Sequence, residues 1–337
     1  MKGVQIMERT VFPALIGNDR LKSTLSADFA AGKSAHAYII EGPEGSGRHT
    51  AAIQICASVL CESRDDESVP LPCGTCPSCR KILGGISVDV LTISNEDKAS
   101  ISVSAVRDIK ESLYITPNDG DKKFYIIENA HLMTVQAQNA LLLSLEEPPA
   151  YVMFFLLTED ASALLETIRS RAPVIRMEKF SPDFIEEHLA KKFGSAQRDR
   201  IVTSAHLSGG ALGRACDLYE NGSDEMEAYR TAEKLTESIL TGRKSDTLAY
   251  LSAPIFKDRN KTKEVLNLMR FALRDLIAEK RGGDLLFYSK TEGVPKFAKK
   301  LSVRKILVLS DSVTGAWEKI NANCSVLTVL TALVTEN

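Results

Sequence analysis

The sequence predicts an α/β fold in its first half and helices in its second half. Five short apolar runs are rich in β-forming residues, and segments with helical spacing separate them. The runs are apolar at nearly every position, as in Tyr125-Ile126-Ile127, which is typical of strands buried on both faces. Strands that alternate with helices in this way indicate a parallel sheet covered by helices on both sides.

The predicted strands cover residues 36–40, 89–93, 123–128, 152–158 and 173–177. Helical spacing between them predicts helices over 51–60, 103–114 and 135–145. After Met177 the strand signal fades. Ser181 and Pro182 are typical of a helix start, because serine caps the backbone and proline suits the first helical position. The next two predicted helices are 183–192 and 198–207, and further helices follow to the end of the chain.

We therefore predict three domains. Residues 1–177 form the α/β domain, residues 178–220 a small helical domain, and residues 221–337 a helical C-terminal domain. In the last of these, Val265, Leu268, Ala272 and Leu276 recur on one helical face, as a core-facing helix requires.

The composition excludes some classes of function. The chain has 337 residues, enough for two or three cores, with 44% hydrophobic and 26% charged residues. A net charge of -2 argues against a chain that wraps nucleic acid by itself. Uncharged apolar runs are all shorter than the ~18–20 residues needed to span a bilayer, so we expect no membrane association.

A glycine-rich loop follows the first predicted strand and precedes a helix. Gly42, Gly45 and Gly47 would let backbone amides turn toward an anion at the helix N-terminus. A working phosphate loop then needs lysine for the β- and γ-phosphates and a hydroxyl for magnesium. Arg48 and His49 stand there instead. Arginine keeps the charge without the compact head group, and imidazole is a poor magnesium ligand, so binding of ATP and Mg²⁺ is doubtful.

The third predicted strand ends in Glu128 and Asn129. In ATPases with this arrangement an aspartate supports magnesium and the next glutamate activates water. Glu128 retains a carboxylate that could hold a metal, but Asn129 cannot accept a proton. Alone, this run is a buried strand followed by a polar loop. After the altered phosphate loop, it indicates a second loss of catalytic chemistry.

Four cysteines predict a structural zinc site. Eleven residues separate Cys61 from Cys73, and two residues lie in each of the gaps to Cys76 and Cys79. Four thiolates make a closed tetrahedral site with no open position for catalysis. The alternatives are an iron–sulfur cluster, whose usual spacing is absent, and free core cysteines. Cys56, within a helical segment, is read as a core residue.

Ser170 and Arg171 precede the last predicted strand, where an arginine can project from the domain edge. Taken alone, such an arginine is a solvated charge. Thr158, at the end of the fourth strand, could sense a γ-phosphate but is read as an ordinary strand-end hydroxyl.

Several segments together resemble the bacterial clamp-loader ATPases of the AAA+ class, the gamma/tau and delta-prime subunits of DNA polymerase III. They are LIGNDRLKSTL (15–25), HAYIIEGPEGSGR (36–48), the four cysteines, NALLLSLEEPP (139–149) and TIRSRAPVIRM (167–177). The resemblance covers about the first 215 residues. Leu143 departs from the family, where a lysine is usual.

The resemblance implies an AAA+ domain with a zinc knuckle at 61–79, a helical lid domain at 178–220 and a collar domain at 221–337. Arg48, His49, Glu128 and Asn129 differ from the hydrolysing motors, and Gly213 stands where motors carry an arginine that touches the nucleotide. These departures favour the delta-prime branch, the non-hydrolysing stator.

In that branch Arg171, with Ser170, would be an arginine finger for the ATP of a neighbouring motor. Such a finger offers two donors to the charge that develops on the γ-phosphoryl group. Here Ala172 replaces the family's cysteine in the motif. The implied partners are the gamma/tau motor and delta subunits in a hetero-pentameric ring, and through it the sliding clamp and primed DNA in the cytoplasm. The alternatives are a weakly active gamma/tau-like ATPase and a zinc-bearing scaffold unrelated to replication.

Overall fold

The computed structural model describes residues 9–30, 35–94, 100–242, 244–283, 285, 287–288, 294–295, 299 and 301–336. The chain divides into two compact units, Met1–Lys179 and Phe180–Asn337. The first unit ends at Lys179, two residues after the predicted end of the α/β domain at residue 177. The three-domain division itself stays a prediction.

The first unit contains a five-stranded parallel sheet, which confirms the predicted α/β fold. Its strands are β1 (Ala37–Glu41), β2 (Val90–Ile93), β3 (Lys123–Ile127), β4 (Val152–Thr158) and β5 (Val174–Arg176). Their order across the sheet is β2-β3-β4-β1-β5, and all neighbours are parallel. Every predicted strand is present, with ends within one residue of the prediction.

Alternate residues of the central strands enter two separate hydrophobic cores. Tyr38 and Ile40 of β1 pack into the core on one face, whereas Ala37 and Ile39 pack into the core on the other. β4 is buried along its whole length. Since successive side chains of a strand point to opposite faces, burial on both faces requires the continuous apolar runs seen in the sequence.

Helices cover both faces of this sheet. They are α1 (Asp19–Ala30), α2 (Arg48–Val59), α3 (Pro77–Leu83), α4 (Val103–Leu113), α5 (Val135–Glu146) and α6 (Glu166–Arg169). Helix α2 begins three residues earlier than predicted, because Gly47 adopts a left-handed conformation and the helix starts directly after it. Helix α3 was not predicted. Cys76 caps it and Pro77 occupies its first turn.

The second unit is helical in its described residues. Its helices are α7 (Pro182–Phe193), α8 (Arg198–Leu207), α9 (Leu212–Asn221), α10 (Ser223–Thr241), α11 (Lys244–Tyr250), α12 (Arg259–Lys280), α13 (Val303–Asn321) and α14 (Val326–Glu336). Residues from α7, α8 and α9 share one hydrophobic cluster, and residues from α10 to α14 share another. Val265, Leu268, Ala272 and Leu276 are buried on α12, as their spacing predicted. Among the described residues, no helix is long and apolar enough to cross a membrane.

Candidate functional site

The glycine-rich loop lies at the carboxyl end of β1, between β4 and β5. Gly45 and Gly47 have φ values of 72° and 91°, which glycine adopts at little cost. Gly42 is needed for space, because a Cβ there would lie 2.6 Å from Ser46 Oγ and 2.7 Å from Met177 Cβ. The loop therefore makes a tight turn that is closed on one side by Met177.

Arg48 starts the helix that follows the loop, and its side chain is only 10% exposed. Its Nη2 atom lies 3.8 Å from Glu159 Oε1, and its Nη1 atom is buried without a hydrogen-bond partner among the described residues. Burial lowers the pKa of Arg48, while the nearby carboxylate of Glu159 raises it. A guanidinium remains charged in proteins, so the N-terminal end of α2 carries a permanent positive charge. One nitrogen of the group faces a carboxylate, and another has no hydrogen-bond partner among the described residues.

His49 is bonded to Glu128. Nδ1 of His49 lies 2.8 Å from Oε1 of Glu128, and the side chains are 49% and 33% exposed. These two residues occupy the hydroxyl position of the loop and the acidic position at the end of β3. Nδ1 of His49 therefore contacts the carboxylate oxygen that a magnesium ion at this position would need. Magnesium prefers oxygen ligands, and the imidazole of His49 supplies none.

Other polar residues at this edge are already engaged. Thr158 is fully buried, and its Oγ1 donates to the backbone oxygen of Asp160 at 2.9 Å. Nδ1 of His131 lies 3.5 Å from the same Thr158 oxygen. His131 was not among the predicted site residues. Its position directly after the third strand was the signal, because the carboxyl ends of parallel strands meet at one edge of a sheet. Asn129, with φ 49°, turns the chain between β3 and His131.

Arg171 and Ser170 lie away from this loop, after α6. Arg171 Nη2 donates to Glu146 Oε1 at 2.8 Å, and Nη1 donates to the backbone oxygen of Thr167 at 2.9 Å. Ser170 Oγ donates to the Thr167 oxygen at 3.0 Å. The Arg171 side chain is 36% exposed. The guanidinium is thus held at the surface by an acid of α5 and by a backbone oxygen of α6.

The four predicted ligands converge. The Sγ atoms of Cys61, Cys73, Cys76 and Cys79 all lie within 4.8 Å of one another, and all four cysteines are free. Sulfurs around a zinc ion at 2.3 Å stand about 3.8 Å apart in a tetrahedron. The separation of 3.9 Å between the Cys73 and Cys79 sulfurs fits that geometry. Cys56 is buried in the core and is not a member of the cluster.

Backbone amides surround these sulfurs. Cys76 N donates to Cys73 Sγ, and Cys79 N donates to Cys76 Sγ, both at 3.4 Å. Desolvation raises the pKa of Cys73, but hydrogen bonds from Thr75 and from the Cys76 amide outweigh it and lower the pKa to about 5. Burial raises the pKa of Cys79. A thiolate at Cys73 is the charge state that a metal requires, so the donor set fits a structural zinc ion.

Gly213 lies in the first turn of α9, within the helix Leu212–Asn221. Gly213 has no side chain, and the family resemblance implies that motor subunits carry an arginine at this position. The next residue, Arg214, is exposed.

The fold and the loop define a class: an α/β protein with a five-stranded parallel sheet and a glycine-rich loop at the carboxyl end of β1, in which Arg48 and His49 follow the last glycine. A family model described as DNA polymerase III, delta subunit matches residues 17–181. The chain is 27% identical to DNA polymerase III subunit delta' of Bacillus subtilis (strain 168) over 305 residues, covering 89% of this chain and 90% of that one. It is 28% identical over 260 residues to DNA polymerase III subunit gamma of Buchnera aphidicola subsp. Schizaphis graminum, covering 76% and 70%.

The resemblance stated from the sequence is thereby confirmed. This chain is a relative of the clamp-loader AAA+ subunits of bacterial DNA polymerase III, with subunits named delta', gamma and tau among its matches. A crystal structure of a DNA polymerase III gamma subunit-related protein from Thermotoga maritima aligns over 93% of this chain and 97% of its own length, at 17% identity and a TM-score of 0.46.

Proposed function

We propose that this chain is the delta-prime-like stator of a bacterial clamp loader, which does not hydrolyse ATP itself and lends Arg171 to a neighbouring motor subunit. The observation that carries the proposal is the His49–Glu128 contact of 2.8 Å. This contact joins the two positions that a motor subunit uses to hold magnesium. Asn129 cannot act as the general base that takes a proton from the attacking water.

The position of Arg171 supports the second half of the proposal. Its guanidinium is partly exposed, is held by one surface acid, and belongs to a segment that matches the family's finger motif. An arginine finger acts across an interface, so it does not need a nucleotide in its own domain. Fingers typically contribute on the order of 10³ to 10⁵ in rate at the site that they serve.

The domain roles and the partners in this proposal are those expected from the similarity to clamp-loader subunits. The lid domain at 178–220 and the collar at 221–337 would join the gamma/tau motor and delta subunits in a pentameric ring. The ring would load a sliding clamp on primed DNA in the cytoplasm. Zinc bound by Cys61, Cys73, Cys76 and Cys79 would be structural, because four protein ligands leave no position for substrate.

Reconstitution tests the finger directly. A loader assembled with the Arg171→Ala chain should lose clamp- and DNA-stimulated ATP turnover at the adjacent motor site. Arg169→Ala changes an exposed arginine at the end of α6; it is the matched control and should leave turnover unchanged. Equal turnover with Arg171→Ala and with the unaltered chain would remove the finger assignment.

A second candidate function is a weakly active gamma/tau-like ATPase. Two observations favour it: the buried, partly unpartnered guanidinium of Arg48, and 35% identity over 161 residues to the tau subunit of Bacillus subtilis (strain 168), a match that covers 48% of this chain and 28% of that one. Micromolar ATP affinity of the isolated chain, with turnover abolished by Glu128→Ala, would support this candidate over the stator.

A further inference from the structure

We propose that a cationic cavity in the second unit binds a phosphate monoester or a pyrophosphate group, at a site that shares no residue with the glycine-rich loop. The cavity has a volume of about 360 Å³. Its walls come from α8, α10 and the segment that ends α11. The lining residues that carry the argument are Arg200, Glu227, Arg230, Thr231, Lys234 and Tyr250.

Three cations converge on this cavity from two helices. Arg230 and Lys234 stand four residues apart on α10, so their side chains emerge on the same face, and Arg200 comes from α8. Like charges at this spacing repel each other along a helix. Among the described residues, none of the three cations has a carboxylate within 4.0 Å. An anion in the cavity would relieve this repulsion.

Arg200 is held in place beside the cavity by contacts within the second unit. Its Nε atom is buried and has no hydrogen-bond partner among the described residues. The group is otherwise fixed, because Nη2 donates to the backbone oxygen of Glu220 at 3.3 Å and the guanidinium lies 5.4 Å from the ring centroid of Tyr219. A guanidinium that is already fixed in this way loses little side-chain freedom when an anion binds beside it.

The charge of the lining selects the ligand class. Three cations and the carboxylate of Glu227 leave a charge of +2, by 3 − 1. A phosphate monoester, which carries close to two negative charges at neutral pH, balances this charge, whereas a carboxylate balances half of it. Guanidinium groups also match phosphate oxygens geometrically. Tyr250, whose ring lies 5.9 Å from Lys234 Nζ, adds a flat wall on which an organic portion of the ligand could rest.

Titration calorimetry of the full chain tests the site with two probes, inorganic pyrophosphate and AMP, at constant ionic strength. We expect both probes to bind. The Arg230→Gln/Lys234→Gln double variant should bind them more weakly, with a dissociation constant at least tenfold higher. Both side chains are exposed, so this variant should fold. Glu227→Gln should tighten binding, because it raises the lining charge. Binding of pyrophosphate alone would identify free pyrophosphate, rather than a monoester, as the ligand.

Two control variants test whether the probes bind at this cavity. Arg198→Gln removes an exposed cation of the same helix as Arg200 and should not change binding. Arg48→Gln alters the glycine-rich loop, so binding that survives in this variant comes from another part of the chain. Loss of binding in Arg48→Gln with retention in the double variant would overturn the proposal, as would equal weakening by Arg198→Gln or the absence of binding by either probe.

Discussion

Nη2 of Arg171 lies 2.8 Å from Oε1 of Glu146, and both side chains remain more than one third exposed. The acid ends α5, within the Leu-Glu-Glu-Pro-Pro run, and the arginine follows α6. Two of the segments that carry the resemblance to clamp loaders, 139–149 and 167–177, are therefore joined by an ion pair. If Arg171 is a finger, its guanidinium must leave Glu146 before it reaches a phosphate on a neighbouring subunit.

The first prediction concerns the release of Arg171 from Glu146. Exposed ion pairs contribute about 0–1 kcal/mol, so Glu146→Gln should raise the turnover of a reconstituted loader by no more than about fivefold. Glu147→Gln, which changes the adjacent exposed acid, is the control and should have no effect. Steady-state ATP turnover with clamp and primed DNA measures both. A large fall in turnover with Glu146→Gln would instead mean that Glu146 positions the arginine for catalysis.

The second prediction concerns magnesium at the altered loop. Because His49 holds the carboxylate of Glu128 at 2.8 Å, Mg²⁺ should change the affinity of the chain for ATP by less than about twofold. In Arg48→Lys/His49→Thr the loop regains its lysine and hydroxyl, and we expect nucleotide affinity to become Mg²⁺-dependent. Titration with a fluorescent ATP analogue, with Mg²⁺ and with EDTA, measures this difference.

ATP turnover should not return in that double variant. Asn129 still cannot take a proton from water, so hydrolysis should remain absent. Strong Mg²⁺-dependence in the unaltered chain would contradict the view that the His49–Glu128 pair has replaced the metal ligands.

The third prediction concerns the cysteine cluster. The purified chain should contain one zinc ion, and Cys73→Ser should abolish it, since all four sulfurs are needed to close the site. Metal binding and folding are coupled, so the melting temperature of the variant should fall by roughly 5 °C or more. Cys216→Ser, outside the cluster, is the control. Elemental analysis and thermal unfolding provide the two measurements. Full zinc content in Cys73→Ser would exclude Cys73 as a ligand.

The fourth prediction concerns pH and α10. Burial raises the pKa of Glu233 above its ordinary value of 4.5, and the charge of Glu237 adds to the shift. A carboxyl group whose pKa is higher in the folded state binds more protons when folded, so it lowers stability as the pH rises from about 4.5 through its raised pKa. Glu233→Gln should therefore stabilise the chain at pH 7.

This advantage should shrink as the pH falls toward 4.5, because protonation removes the charge of Glu233. Denaturant unfolding at the two pH values measures it. Glu318→Gln, an exposed glutamate of α13, controls for the loss of one negative charge. An equal gain from Glu233→Gln at both pH values would show that the gain comes from packing rather than from ionisation.

Much of the first unit could be predicted from the sequence because its signals are local. Central strands that are buried on both faces require nearly continuous apolar runs. Runs of β-forming residues placed all five strands to within one residue, although the edge strands β2 and β5 are only partly buried. The cysteine spacing predicted a cluster for the same reason: three of the four ligands lie within seven residues, so the chain has little freedom to separate them.

Contacts between distant segments could not be predicted in this way. The pairing of Arg171 with Glu146, the position of His131 beside Thr158 and the convergence of Arg200 with Lys234 each join residues that are far apart in sequence. Residue types and spacing determined which groups this chain has and that its phosphate loop departs from a working one. The tertiary structure alone decided that His49 closes on Glu128, because that contact depends on the parallel order of strands that brings the ends of β1 and β3 to one edge of the sheet.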